Sequence, residues 1–414
     1  MESRRLASVL PQEDRGMSGD NCRLLLVVPS GTSFLTFFRE VAVGWRARGE
    51  DVTVATGPEL PGHSRPWPPG INRLPLPAFR TGAPWNLAIA GWQLARFVSR
   101  WNPTIVHAHF AAAVLVAAVA KSVSPPRPRL WIGTYHGMHL AASGEHRSPL
   151  VARVEAWAAQ RMDRVCVLND EDQLAIRSYV SDERIRVVPT CGLGCDIAVF
   201  DASRYPRSVR DATRARLGIA QSAFVVAYVG RRTAFKGFDI AVRGFLEAGI
   251  DHSAMLIVGA PDRTHAHGLS SAECDALTSD RRFVDVGWQN DVAPVLAVAD
   301  VCLLPSTREG MPVTAMEALS LGVPVVTVDA RGCRDVVRDG VDGVVMPEAK
   351  ADSVAAVLRA LAADRPRLDT MAAAAISGRG RFDRSHYVAD EIAFYAREVA
   401  RLRDRADHGA RATL

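Results

Sequence analysis

The sequence has no long apolar run. A membrane-spanning helix needs about 20 predominantly apolar residues, and the longest candidate, residues 111–120, is much shorter. Near the start, Arg4 and Arg5 precede an apolar part that is too short for a secretory signal, and Pro11 interrupts it. The sequence therefore predicts a globular chain without a spanning segment, in which residues 1–20 are a disordered leader.

Paired cysteines are also missing. The seven cysteines are an odd number and none forms a CxxC pair, which argues against a disulfide framework and a cysteine-rich zinc site. We therefore expect a reducing, cytoplasmic location. The formal net charge of +5 is mild. It does not indicate nucleic acid, and it is compatible with an anionic ligand or with peripheral contact at the inner face of the cell membrane.

Lysine is scarce, since only three of the 50 basic residues are lysine. Lys236 lies in Tyr228-Val-Gly-Arg-Arg-Thr-Ala-Phe-Lys-Gly237, where an apolar strand runs into a glycine turn and two arginines. Arginine offers a flat fork of donors and lysine a mobile point charge, so both can reach one diphosphate. The stretch predicts an anion-binding loop, and a solvated basic turn is the alternative.

A complete dinucleotide-binding glycine fingerprint and a GxSxG nucleophile elbow are both absent. Gly192-x-Gly194 has Ile197 where the third glycine belongs, and we interpret it as a backbone turn. These absences disfavour a nicotinamide-dependent dehydrogenase and a serine hydrolase.

Short apolar strands alternate with amphipathic helices in both halves of the chain. This repetition predicts an α/β protein whose parallel sheets carry helices on both faces. The alternation of strands and helices stops at residues 189–214, which are interpreted as a linker. We predict one domain over 21–195, a second over 196–380 and a last helix within 381–414, with the ligand in a cleft between the domains.

The loop and helix at residues 305–317 follow a buried strand and contain Glu309 and Glu317. Carboxylates accept hydrogen bonds from hydroxyl groups, and a helix N-terminus at residue 313 suits a phosphate. A nucleotide sugar carries both groups. The alternative is a helix-terminal acid and a solvated helix face.

Four histidines come in two pairs, and a fifth stands at a strand end. His136 is predicted to bind a sugar hydroxyl or to act as a general base, although a structural loop histidine is an alternative. We interpret His107 and His109 as pointing to opposite faces of their strand, and His265 and His267 have no acidic or cysteine partner nearby. No metal site is predicted.

The motifs together resemble those of GT-B glycosyltransferases of the large retaining family 4, over residues 23–400. Other segments, such as Thr134-Tyr-His-Gly137, resemble a subgroup that builds bacterial capsular polysaccharides, exopolysaccharides or lipid-linked glycans. The most specific matches are Gly230-Arg231 with Lys236-Gly237, Gly287-Trp288 through Asp300, Pro305-Ser306, Glu309 with Glu317, and Gly322-x-Pro324-Val-Val326.

The resemblance implies two Rossmann-like parallel-sheet domains facing across a cleft, with the last helix crossing back to the first. It implies that Arg231 and Lys236 hold the donor diphosphate, Glu309 the sugar hydroxyls and Glu317 the ribose, with His136 near the C6 side of the sugar. The other donor-binding positions that it implies are Gly31, Gly230, Gly310, Met311, Val313 and Thr314. No metal or cofactor is expected.

The chain departs from the family at two positions. Pro312 stands where a common version of the loop has glycine, and proline has no N–H to offer a sugar. Asp335 stands near the expected nucleoside position, where many members have glutamate.

The resemblance implies transfer of a hexose from a nucleoside-diphosphate sugar, with UDP favoured, to a hydroxyl of a glycan, lipid-linked or small-molecule acceptor. A sugar-nucleotide epimerase and a non-catalytic nucleotide-sugar-binding subunit are alternatives. Alanine at Arg231 or Lys236 is expected to lower kcat by roughly 10²–10³ with little effect on folding. Residues 80–101 contain tryptophans and arginines that we interpret either as a membrane-touching face or as a core helix with exposed arginines.

Overall fold

The structure is a computed structural model in which residues 22–58, 66–79, 83–127, 129–140, 148–261 and 266–412 are described. The predicted leader at 1–20 and His265 lie outside these residues. The chain forms two compact units, Met1–Pro189 with Ser385–Leu414, and Thr190–Arg384.

The first unit is built on a parallel sheet of seven strands in the order β3-β2-β1-β4-β5-β6-β7. Five of its seven strands are buried at every position after the first, as the apolar runs predict for a sheet with both faces covered. The strands are β1 (Arg23–Val28), β2 (Asp51–Thr56), β3 (Asn72–Pro75), β4 (Ile105–His109), β5 (Leu130–Thr134), β6 (Arg164–Val167) and β7 (Ile185–Val187).

Helices cover both faces of this sheet. Three of them form a layer on one face, in which the second packs against the first and the third. A π-helical turn, Phe34–Phe38, joins the first two helices that follow β1. The helices of this unit are α1 (Gly31–Ser33), α2 (Arg39–Ala47), the layer α3 (Pro84–Trp101), α4 (Ala111–Val123) and α5 (Pro149–Arg161), and then α6 (Asp170–Ile176) and the last helix α15 (Arg384–Ala412).

The last helix packs into the first unit, as predicted. The Tyr395 ring meets Trp45 of α2 edge-on at 5.4 Å. The Tyr395 hydroxyl also lies 2.7 Å from His107 Nδ1. Arg186 of β7 pairs with Asp390 and Glu391 of this helix. Aromatic packing and ion pairs thus hold a helix that is distant in sequence on the first sheet.

The second unit has a parallel sheet of six strands in the order β10-β9-β8-β11-β12-β13. Its strands are β8 (Phe224–Val229), β9 (Ser253–Val258), β10 (Phe283–Gly287), β11 (Val301–Leu304), β12 (Val325–Val328) and β13 (Gly343–Met346). Its helices are α7 (Arg207–Arg216), α8 (Phe238–Ala248), α9 (Ser271–Ser279), α10 (Ala293–Leu296), α11 (Val313–Ser320), α12 (Cys333–Val336), α13 (Ala351–Ala363) and α14 (Arg365–Gly378).

Residues 190–195, which the sequence analysis assigns to the first domain, lie in the second unit. The Cys195 N–H donates to the Phe382 carbonyl, and the Arg384 N–H donates to the Cys195 carbonyl. Gly192 and Gly194 both have positive φ angles, which confirms the predicted backbone turn. Part of the predicted linker forms helix α7, which was not predicted.

Within the described residues, no helix has the length and apolar character needed to cross a bilayer.

Candidate functional site

The order of the second sheet brings two loops side by side. From β8 the chain proceeds outward to β9 and β10 on one side, whereas β11, β12 and β13 lie on the other. The loops after β8 and β11 therefore flank the point where the strand order reverses, which is where parallel α/β sheets bind ligands. These loops carry the predicted anion-binding residues and the predicted carboxylate.

Lys236 and Glu309 form an ion pair across these loops. Lys236 Nζ lies 2.5 Å from Glu309 Oε1, and the two side chains are only 22% and 10% exposed. The loops are also joined through the backbone, since the Thr307 N–H donates to the Phe235 carbonyl at 3.1 Å. The structure thus places a cation and a carboxylate together at the carboxyl edge of the sheet. The resemblance assigned both residues to one donor site, but their direct ion pair was not predicted.

Gly237 explains why the loops approach so closely. Its φ is +68°, and a Cβ at this position would lie 2.1 Å from the carbonyl oxygen of Pro305. Every residue with a side chain would force the two loops apart. Glycine at position 237 therefore allows the two loops to come together, in addition to preceding helix α8.

Arg231 and Arg308 both lie over the Phe235 ring, with the guanidinium carbons 5.0 Å and 5.3 Å from its centroid. The backbone at Arg231 is anchored, because the Tyr228 hydroxyl donates to the Arg231 carbonyl at 2.7 Å. Gly230 is anchored as well, because its N–H donates to the Val258 carbonyl. Sequence reasoning did not identify Arg308 or Phe235; the position of Arg308 directly before Glu309 was the available signal.

Residues just before and within α12 support the turn at Gly310. Arg331 Nε donates to the Glu309 carbonyl at 3.3 Å. Gly332 has a positive φ, and a Cβ there would lie 2.5 Å from the Gly310 carbonyl oxygen. Asp335 accepts a hydrogen bond from the Gly332 N–H at 3.0 Å. In this unit Asp335 therefore fixes the backbone that supports the Gly310 turn.

Helix α11 begins directly after this turn. The Pro312 carbonyl accepts from the N–H groups of Ala315 and Met316. Val313 and Thr314 come before the first residues whose N–H groups donate within the helix. As at the start of any helix, their N–H groups point outward from its positive end. Pro312 has no N–H and so cannot donate to a ligand. Its carbonyl nevertheless accepts the first hydrogen bonds of the helix.

Met311 and Glu317 are the remaining predicted donor-binding positions in this unit. Met311 contacts Cys191 through sulfur at 3.7 Å. Glu317 is half-buried one turn into α11. Burial raises the pKa of the Cys195 and Cys302 thiols to about 12, and the nearby Glu317 charge adds to the rise. The Glu317 carboxylate, the second predicted one, therefore lies on the side of α11 that is near Cys195 and Cys302.

In the first unit, His136 belongs to a cluster of aromatic rings at the carboxyl edge of the sheet. Its Nε2 lies 3.4 Å from His109 Nδ1, and its ring lies 4.2 Å from Phe110 and 5.8 Å from Phe38. Phe110 has a φ of +74°, a strained conformation for a bulky residue and one that occurs more often at functional sites.

The interpretation that His107 and His109 point to opposite faces is wrong. Residues two apart on a strand share a face, and the two ring centroids are 4.0 Å apart. His107 also lies 2.7 Å from the Thr134 hydroxyl. His107, His109 and His136 are called the histidine cluster below. No group of side chains able to hold a metal ion occurs within the described ranges.

Burial keeps the histidine cluster neutral. It lowers the pKa of His107 and of His109 well below the usual value, and neighbouring charges add to this. Although part of its side chain reaches solvent, burial lowers the pKa of His136 to about 3. A general base works best with a pKa near the operating pH, so the structure favours His136 as a neutral hydrogen-bonding group.

Gly31 lies at the start of the helical segment that follows β1. Ser30 caps this segment, because its Oγ accepts from the Ser33 N–H at 3.1 Å. The Thr32 hydroxyl is buried and makes no hydrogen bond to any described residue. A buried hydroxyl without a partner is uncommon, and this one stands in the loop expected to approach a ligand.

Comparison with known proteins agrees with this architecture. Residues 35–191 match the family described as glycosyl transferase 4-like domain, and residues 223–364 match glycosyl transferases group 1. The D-inositol 3-phosphate glycosyltransferase of Geodermatophilus obscurus is 30% identical over 340 residues, which cover 78% of this chain and 68% of that protein. The enzyme of the same name from Mycobacterium avium is 30% identical over 76% of this chain and 68% of its own length.

Solved structures share the fold at low identity. Anabaena HepE in complex with UDP and glucose has a TM-score of 0.73 at 20% identity, over 91% of this chain and 99% of that chain. Sucrose-phosphate synthase from Thermosynechococcus elongatus has a TM-score of 0.74 at 19% identity, over 92% and 99%. The chain therefore has the GT-B fold and belongs to the group 1 glycosyltransferases of family 4.

Proposed function

We propose that this glycosyltransferase moves a hexose from a nucleoside-diphosphate sugar, UDP being favoured, to an acceptor hydroxyl with retention of the anomeric configuration. The Lys236–Glu309 pair carries the proposal. It sets a cation for the diphosphate beside a carboxylate for the sugar hydroxyls, in the loops where a parallel sheet binds its ligand.

Arg231 would share the diphosphate with Lys236, and the first N–H groups of α11 would add their partial positive charge. As the bond to the sugar breaks, negative charge grows on the leaving diphosphate. Fixed donors stabilise this charge most strongly when water is excluded. These groups supply the positive charge without a divalent cation, so we propose a metal-independent reaction that needs no cofactor.

Glu309 has two roles in this proposal. Its Oε1 accepts from Lys236, and its second oxygen would accept from hydroxyls of the donor sugar. His136 would donate to or accept from the C6 side of the sugar as a neutral imidazole. Glu317 would bind the ribose, and the loop at Gly31 would approach the diphosphate or the acceptor from the first unit.

For the acceptor we propose a hydroxyl of a bacterial glycan, a lipid-linked sugar or a small phosphorylated polyol. The names of the curated relatives support the last class, since they specify D-inositol 3-phosphate. The solved HepE complexes with UDP and with UDP-glucose support a uridine donor. We place the enzyme in the reducing cytoplasm, in peripheral contact with the inner face of the cell membrane; all seven of its cysteines are free.

A donor panel of UDP-, GDP- and ADP-sugars, scored by nucleotide release with and without a chelator, tests the proposal. We expect turnover with a UDP-sugar that the chelator does not abolish, and a glycoside with the anomeric configuration of the donor by NMR. Formation of an epimeric nucleotide sugar without any acceptor would show an epimerase instead. Donor binding without turnover on any of the proposed acceptor classes would show a non-catalytic subunit.

The Glu309→Gln variant tests the carboxylate role. The amide keeps the shape but loses the charge that accepts from sugar hydroxyls, so we expect kcat/KM for the donor sugar to fall by roughly 10²-fold, the scale of a lost polar contact in the transition state. UDP affinity alone should change much less. Unchanged donor kinetics would remove Glu309 from the sugar site. Glu348→Gln, an exposed acid of the same unit, is the control.

A further inference from the structure

Large apolar side chains are exposed on one side of the first unit. They lie on the outer surface of the α3–α4–α5 layer, and they include two tryptophans that are 68% and 52% exposed. We call this surface the tryptophan face. Its members are Trp85, Ile89 and Trp92 on α3, Val123 at the end of α4, and Leu150, Val151 and Val154 on α5.

The tryptophan face is basic. Between residues 60 and 144 the sequence contains no aspartate or glutamate and eight arginines and lysines. Arg96 and Arg100 are exposed on the same side of α3 as Trp92, and the Arg96 guanidinium lies 4.7 Å from the Trp92 ring centroid. Within the described part of the chain, neither arginine has a carboxylate partner. Among the described residues, the charges of Arg96 and Arg100 therefore have no neutralising carboxylate.

A shallow pocket joins the aromatic and basic parts of this face. It has a volume of about 280 Å³ and lies between α3 and the end of α4. Trp92 and Val123 give it apolar walls, and Arg96 and Arg100 give it donors. Such a pocket suits a phosphate that is attached to an apolar stem.

The strand and helix directions orient the face. Helices α3 and α5 each end only a few residues before the next strand begins, so they run from the carboxyl edge of the sheet to its amino edge. Trp85 and Leu150, near their first turns, therefore lie toward the edge that carries His136. A surface covering this face would reach the edge at which an acceptor is expected.

We infer that the tryptophan face docks onto an anionic phospholipid bilayer, with tryptophan rings at the level of the headgroups and Arg96 and Arg100 on lipid phosphates. Tryptophan is enriched at membrane interfaces, and basic residues are attracted to anionic leaflets. A second copy of the chain fits less well, because pairing the face with itself would set arginine against arginine. This inference specifies the proposed membrane contact and does not depend on the proposed reaction.

Flotation of the full-length chain with vesicles tests the inference. One set contains phosphatidylcholine alone and the other contains phosphatidylcholine with phosphatidylglycerol. We expect binding to the anionic vesicles only, and its loss at high salt. Trp85→Ala combined with Trp92→Ala, and Arg96→Glu combined with Arg100→Glu, should each weaken binding by roughly tenfold or more.

Matched controls come from the second unit. Trp288→Ala removes a tryptophan that is 50% exposed, and Arg207→Glu with Arg210→Glu reverses two exposed charges on α7. Binding that ignores anionic lipid, or that the control variants weaken equally, would overturn the inference. Dimerisation abolished by the Trp85/Trp92 change would overturn it in favour of a second copy. Circular dichroism checks folding, and turnover of a water-soluble acceptor without vesicles checks the reaction independently.

Discussion

The ion pair between Lys236 and Glu309 makes the Lys236→Ala variant informative about folding as well as catalysis. The substitution leaves the carboxylate of Glu309, which is only 10% exposed, without its partner at 2.5 Å. A hydrogen bond to a charged group contributes about 1.5–3 kcal/mol, and a buried group left unsatisfied adds its desolvation cost. Partial access of Lys236 to solvent reduces this, so we expect a loss of about 1–3 kcal/mol in the unfolding free energy of the second unit.

Thermal unfolding measures this loss. For a unit of this size, 1 kcal/mol shifts Tm by about 2–4 °C. The double variant Lys236→Ala/Glu309→Gln removes the uncompensated charge, so it should recover part of the stability and give a coupling energy of about 1–2 kcal/mol. Both variants should lower kcat by roughly 10²–10³, because the leaving diphosphate loses a cation. The initial expectation of little effect on folding then applies to Arg231→Ala alone.

Lys350 provides the control. It pairs with Glu348 in the same unit, but its side chain is 63% exposed, and exposed ion pairs contribute little to stability because water and salt screen them. Lys350→Ala should leave both Tm and kcat close to those of the unchanged enzyme. If Lys236→Ala unfolds at the same temperature as Lys350→Ala and the double variant is additive, the ion pair is not formed in solution. Near-native turnover of Lys236→Ala would refute its catalytic role.

Two further predictions concern the loops and the first unit. Gly237→Ala should destabilise the second unit by about 1–3 kcal/mol more than Gly249→Ala by chemical denaturation. Both glycines have positive φ, but a Cβ at Gly237 would lie 2.1 Å from a carbonyl oxygen, whereas one at Gly249 would keep an ordinary distance of 3.9 Å. Equal losses would contradict the close approach. The first unit should lose stability as the pH falls below about 6.5, because the histidines of the unfolded chain take up protons that the buried rings do not. The loss in unfolding free energy should be up to about 1.4 kcal/mol per pH unit for each member of the histidine cluster. Urea titrations at several pH values with a probe in the first unit check this, and a flat profile would show that the cluster is protonated in the folded state.

The pH dependence of activity should differ from that of stability. His136 has its pKa lowered to about 3 by burial, so it stays neutral in the folded enzyme throughout the range in which an ordinary histidine titrates. We therefore expect no acid limb near pH 6.5 from this residue as long as the protein remains folded.

Some elements escaped the sequence analysis for local reasons. Strand β3 has only four residues, ends in proline and lies at the edge of the sheet, so it shows neither a buried run nor an alternating pattern. Helix α7 has few apolar residues and buries only Thr213, and it lies within a stretch rich in proline and glycine. Short or polar elements take their structure from what they pack against, which periodicity does not report.

The residue pattern predicts the two α/β units, the parallel sheets and the loops that carry Lys236 and Glu309. It does so because strands buried on both faces must be apolar along their length, and because a glycine turn after such a strand marks its carboxyl end. Three contacts are visible only in the folded chain: Lys236 and Glu309 form one ion pair, Arg308 shares the Phe235 ring with Arg231, and the histidines face one another. These contacts depend on strand order and loop closure, which join residues far apart in the chain.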